Sequence, residues 1–135
     1  MAYYKIQNPV TLIDENTLTD SYDDNQAVTD VRALKLMTIY VEYTPVEADS
    51  TFYLQVESGL DATNLYPKVA LLEEDVTGES TAKSHVIKLD SVGAGTTVKK
   101  RILVEVADVK VRLSMKESVS ASYGTGKINI LKNEE

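Results

Sequence analysis

One histidine, no cysteine and 21 carboxylic side chains bound the chemistry this chain can attempt. His85 alone has an ordinary pKa near neutrality. It follows Lys83 and Ser84 at the start of a candidate strand, and no second His or Cys completes a nucleophile–base or metal-binding set. It reads as a strand-end histidine. A glycosidase-type pair needs two carboxyl groups facing one another about 5–10 Å apart. Most acidic residues here fall in turns or on polar strand faces, as Glu57, Glu105 and Glu117 are expected to do. The segment 20–25 has the composition of a calcium loop. However, an EF-hand started at Asp20 would place Tyr22, Asn25 and Val31 where a ligand, a glycine and a bidentate glutamate belong. Gly93, Gly95 and Thr97 lack the spacing and the Gly-Lys-Ser/Thr ending of a phosphate loop, and read as a flexible turn. The basic run Lys99-Lys100-Arg101 is suited to acidic neighbours or a partner. No catalytic, cofactor-binding or metal-ligating residue is assigned, and the chain is expected to be non-enzymatic.

The aromatic set is uneven: eight tyrosines, one phenylalanine and no tryptophan. Tyrosine joins a rigid apolar ring to a polar tip, which suits protein interfaces. Tyr3, Tyr4, Tyr40 and Tyr123 are the candidate contact residues; Tyr123 stands in a loop of small residues at 118–126.

The elements that must position these groups are strands. Val, Ile and Thr make up 36 of 135 residues, and β-branched side chains favour a pleated surface. From 108 to 117, Val109, Val111, Leu113 and Met115 alternate with Lys110, Arg112, Ser114 and Lys116, the period of two that a half-buried strand requires. The same alternation marks 51–58, 101–106, a shorter run at Ile128 and Ile130, and more weakly 85–89. Residues 34–44 are apolar on both faces, with Met37, Ile39, Val41 and Tyr43 on one and Leu34, Leu36 and Tyr40 on the other. That pattern predicts a central strand covered on both sides. Turns are expected at 44–50, where Pro45 cannot donate to a ladder, and at 58–61, 77–80, 93–96 and 107–108. Residues 67–76 fit either a short helix after Pro67 or a strand pairing back through Gly78 onto 86–89. Residues 1–30 are acidic and sparse in apolar side chains, and are expected to form an extended arm or edge strand beside a β-sandwich domain at 31–135.

Size and charge agree with one small domain. The formal charge is −7, from 14 basic and 21 acidic residues, which argues against nucleic-acid binding, since phosphate affinity comes chiefly from Lys and Arg. No apolar run reaches the roughly 20 residues that span a bilayer. The opening residues, Met1 to Lys5, lack the basic-then-apolar plan of a signal peptide. The expected fold is all-β: a two-sheet sandwich of about eight strands, with jelly-roll connectivity among the options.

The order of segments carries a resemblance. Residues 17–22, the run 31–44 ending in Tyr43 and Thr44, the run 52–58 followed by a turn, the run 102–117, and Tyr123-Gly124-Thr125-Gly126-Lys127-Ile128 together resemble small β-sandwich virion proteins of tailed bacteriophages, of the capsid auxiliary or decoration type. The resemblance spans most of the chain as a pattern of strands and turns without a signature motif. It implies a structural role in the virion, assembled in the host cytoplasm, and homo-oligomeric contact with the major capsid protein or other virion proteins. It implies no nucleic-acid or membrane partner and no cofactor. The alternatives are a neck or tail component, or a carbohydrate- or receptor-binding sandwich module.

Overall fold

The computed structural model describes residues 9–32, 34–67, 71–74, 80–83, 86–106, 108–118 and 121–134. Within them lie eleven strands: β1 (Val10–Thr17), β2 (Gln26–Asp30), β3 (Leu34–Thr44), β4 (Thr51–Gly59), β5 (Leu65–Pro67), β6 (Leu71–Glu74), β7 (Ser80–Lys83), β8 (Val86–Asp90), β9 (Val98–Glu105), β10 (Lys110–Glu117) and β11 (Thr125–Glu134). A 3-10 turn, Tyr22–Asp24, precedes β2, and the described residues contain no α-helix. Sheet one runs β1-β11-β3-β9-β6-β7, and sheet two runs β2-β10-β4. Along the far edge of β4, β8 pairs with residues 51–55 and β5 with residues 57–59. Neighbouring strands are antiparallel throughout.

The alternating residues face inward and meet between the sheets. Met37, Ile39, Val41, Ile102, Val104, Ile128 and Ile130 come from sheet one, while Phe52, Leu54, Val56, Ile87, Leu89, Val111, Leu113 and Met115 come from sheet two. This is the two-sheet sandwich that the periodicity predicts.

Connectivity departs from expectation in several places. The count is eleven rather than about eight because β5, β6 and β7 are three or four residues long, too short for an alternation to register. In the ambiguous stretch, residues 71–74 are strand. They pair with Ser80–Lys83 and not with 86–89, because β8 lies on β4 in the other sheet. The junction at 106–109 is no reversal between paired neighbours: β9 belongs to sheet one and β10 to sheet two. Only β4–β5 and β6–β7 are hairpins within a sheet; every other connection changes sheets. The charged C-terminal residues 132–134 extend β11 along β3, since main-chain pairing needs no apolar side chain.

β3 is central, between β11 and β9. Its outer face is partly open among the described residues: Leu36 is 40% exposed, although Thr38 is buried between the cross-strand neighbours Leu103 and Leu131. Residues 10–17 and 26–30 of the acidic N-terminal region occupy one edge of each sheet. Ile13 and Leu18 are buried in the shared core, which ties the region to the sandwich.

The facing of β10 is testable. Val111 is buried, whereas Arg112 points outward and donates through Nη2 and Nε to Glu57 at 2.7 and 3.0 Å. Val111→Asp buries an unpaired carboxylate, at a cost of several kcal/mol, comparable with the stability of a whole small domain. Arg112→Asp breaks one partly buried pair, with side chains 27% and 14% exposed, and sets two acids opposite each other, costing about 1–3 kcal/mol. Thermal melts should find Val111→Asp unfolded and Arg112→Asp folded with a lowered Tm; the reverse ranking would invert the facing.

Candidate functional site

Four connections gather at one end of the sandwich: 18–25, 45–50, 91–97 and, before β11, residue 118 with residues 121–124. Main-chain bonds lace them together. Gly95 N–H donates to Pro45 O at 2.7 Å, Ser91 N–H to Ser50 O at 3.0 Å, and Leu18 N–H to Gly124 O at 2.9 Å. Gly95 has φ +77, a left-handed conformation that glycine adopts without steric cost. Gly124 is fixed by contact instead: a Cβ there would stand 2.3 Å from Thr44 O and 2.8 Å from Pro45 Cα. The glycine-bearing turn at 93–96, read as flexible, is docked on the β3–β4 connection.

Beneath this end sits a buried polar network. Glu117, the last residue of β10, is fully buried. The Tyr43 hydroxyl donates to its Oε2, and Gly124 N–H donates to Oε1 at 3.0 Å. Ser50 Oγ lies 2.5 Å from the Tyr43 oxygen and donates to Glu47 O at 3.1 Å. The Tyr43 ring packs on Phe52 with centroids 5.2 Å apart. Burial, reinforced by the bond to Glu117 and opposed by Ser50, pushes the Tyr43 phenol well above the ordinary value of 10. Both carboxyl oxygens of Glu117 are thus occupied in holding the loop end to the two sheets. The assignment of Glu117 to a polar strand face is overturned. Its position was readable, since 117 is in phase with Val111, Leu113 and Met115; the charge masked the register.

Above the network the end is partly apolar. Val46 is 52% and Val92 73% exposed, on two of the laced connections. Tyr123 is half-buried in the same loop cluster, and Ser122 N–H donates to Glu47 Oε1 at 3.2 Å. Exposed valines in turns carry no periodic signal, so the sequence did not single them out.

Tyr40 lies elsewhere, in the middle of β3 on the outer face of sheet one. Register sets it between Asn129 and Arg101. With Val41, Glu42, Lys99, Lys100 and Arg101 it lines a groove of about 290 Å³. The basic run therefore flanks a candidate contact tyrosine, and Lys99 meets an acidic neighbour, Glu42, at 3.4 Å. Tyr3, Tyr4 and His85 lie outside the described residues. Tyr40 and Tyr123 occupy different surfaces. In the 20–25 segment, Asp24 accepts from the Thr19 hydroxyl at 2.6 Å, and the Ser21 hydroxyl accepts from Asp23 N–H. The Asp24 carboxylate and the Ser21 hydroxyl close a turn, and among the described residues no three His, Asp or Glu side chains converge as metal ligands would.

No protein-family model matches the chain, and no curated protein matches it in sequence. Among solved structures, the SPBc2 prophage-derived protein YomS superposes with a TM-score of 0.54 at 11% identity, over 96% of this chain and 98% of that one. The EclA C-terminal domain, a sugar-binding protein, gives 0.48 at 13% identity over 97% and 82% of the two chains. A carbohydrate-binding module of Cellvibrio mixtus lichenase 5A in complex with cellotriose gives 0.41 at 9% identity over 95% and 97%. The first similarity shows a shared β fold running the length of both chains.

The Tyr43 phenol gives this network a pH signature. A raised folded-state pKa means that the stability it contributes is complete below pH 10 and is lost as pH rises above it, by up to about 1.4 kcal/mol per pH unit. Tyr43→Phe leaves Glu117 short of a donor and should cost about 1–3 kcal/mol near neutrality. Because the variant has no phenol to ionise, its deficit should shrink at about pH 11. Urea melts of both proteins check this; parallel losses with pH would remove Tyr43 from the role.

Proposed function

We propose that this chain is a non-enzymatic structural component of a phage particle, of the capsid auxiliary type, that joins its neighbours through the loop end of the sandwich. The observation that carries the reading is the pairing of exposed Val46 and Val92 with a loop end held rigid from beneath by Glu117 and Tyr43. Exposed valines on pre-organised loops bind a neighbour without first losing the entropy of ordering those loops, and many weak copies in one shell add up through avidity. Support also comes from the fold shared along its whole length with a prophage-derived protein. On this reading the partners are the major capsid protein, other virion proteins and further copies of the chain, and the mature location is the virion.

The test pairs stability with attachment. Val46→Asp combined with Val92→Asp should abolish co-sedimentation with capsids of the phage or prophage that encodes the chain, while Tm moves by only about 1–2 °C, as for surface substitutions. Tyr123→Ala should weaken attachment in the same assay. Deleting residues 1–16 is a poor probe of assembly, because it removes most of β1 together with buried Ile13. Undiminished co-sedimentation of the valine variant would overturn the assignment of the loop end. Co-sedimentation with tail assemblies and not with capsids would move the protein to the neck or tail.

A further inference from the structure

The outward side of β3 carries large apolar residues that no described strand or helix covers. Every described strand belongs to one of the two sheets, and the 3-10 turn packs on β10. Register sets Thr38 between Leu131 and Leu103, both half-buried, with Leu36 and Tyr40 two residues to either side along β3. The apolar pattern of β3 calls for cover on both faces, and the sandwich core supplies one of them.

Charge on this face is balanced. Among the described side chains, Lys127, Lys99 and Arg101 share it with Asp14, Glu42 and Glu105. Lys99 meets Glu42 at 3.4 Å and Lys127 meets Asp14 at 3.9 Å. Lys100 and Lys132 belong by register to the other side, opposite buried Val41 and Met37. On a chain of net charge −7, a neutral face can meet an identical one without like-charge repulsion.

The residues also repeat about a single row. Arg101 and Glu105 lie two residues on either side of Leu103, as Tyr40 and Leu36 do about Thr38. A two-fold axis crossing the strands at the Thr38 row exchanges these positions. Arg101 of one copy then meets Glu105 of the other, Tyr40 meets Leu36, and Leu103 and Leu131 meet their own equivalents. A closed two-fold contact requires such self-complementarity. β11, β3 and β9, flanked by β1 and β6, give a face about four strands wide and nine residues long. That is roughly 600 Å² per copy and roughly 1,200 Å² in all, enough for a specific interface.

We propose that a second copy of the chain covers this face, sheet one packing on sheet one across that axis. Because the axis reverses the strands, the dimer presents a Val46/Val92 loop end at each pole. The sheet face and the loop end share none of these residues, so the dimer stands independently of capsid attachment.

Sedimentation velocity on the full-length chain tests this. A mass about twice the 14.9 kDa of the chain is expected at micromolar concentrations. Leu36→Asp should give a monomer with unchanged circular dichroism, because Leu36 is already 40% exposed. Arg101→Glu and Glu105→Arg should each weaken dimerisation at least about tenfold by opposing like charges, and together should restore it to within about threefold. The two residues stand about 13 Å apart on one strand, too far to pair within a chain, so rescue reports the contact between copies. Val46→Asp with Val92→Asp should stay dimeric, which separates this interface from capsid attachment. A wild-type monomer at about 100 μM, a mass that Leu36→Asp leaves unchanged, or charge variants without rescue would each overturn the proposal. A monomer that dimerises only after residues 1–8 are removed would overturn it too, by making the chain's own N-terminal segment the occupant.

Discussion

The structure turns on placing one carboxyl group in the core. Glu117 stands at an inward position of β10 and is sealed from water, where an unsatisfied polar group would cost several kcal/mol. Its two donors come from opposite directions in the chain: the phenol of Tyr43 on β3 in sheet one, and the amide of Gly124 in the connection before β11. Meeting that requirement fixes how β3 and β10 sit across the core. It also brings Gly124 against Thr44 and Pro45, closely enough that only glycine fits there. Buried polar networks that are fully satisfied specify one arrangement more sharply than apolar packing does, and here the arrangement specified is the loop end.

That constraint matters because the topology offers few local restraints. Nearly every connection carries the chain from one sheet to the other, so most strand neighbours are distant in sequence and the loops at the ends bear the burden of alignment. The 45–50 and 91–97 connections answer it with direct main-chain bonds and with the Thr44–Thr97 hydroxyl contact at 2.9 Å. A surface so braced can expose valines without collapsing around them. The same sandwich leaves its two outer faces chemically distinct: Tyr40 and a basic groove on sheet one, a tyrosine–lysine row above amides on sheet two.

Much of this was legible in the residues. Alternation at Val111, Leu113 and Met115, at Phe52, Leu54 and Val56, and at Ile102 and Val104 determined the strands, their inner faces and the all-β class, because a side-chain period of two is a property of the backbone alone. The two apolar faces of 34–44 marked the central strand. What periodicity cannot carry is partnership. An inward-facing valine looks the same in either sheet, so the assignment of β8 to β4, of β6 to β9 and β7, and of β9 and β10 to different sheets was decided by tertiary packing. Glu117 shows the boundary most clearly. Its phase placed it inside, its charge argued for outside, and only the donors brought to it by folding, Tyr43 from 74 residues away and Gly124 from seven, could decide between them.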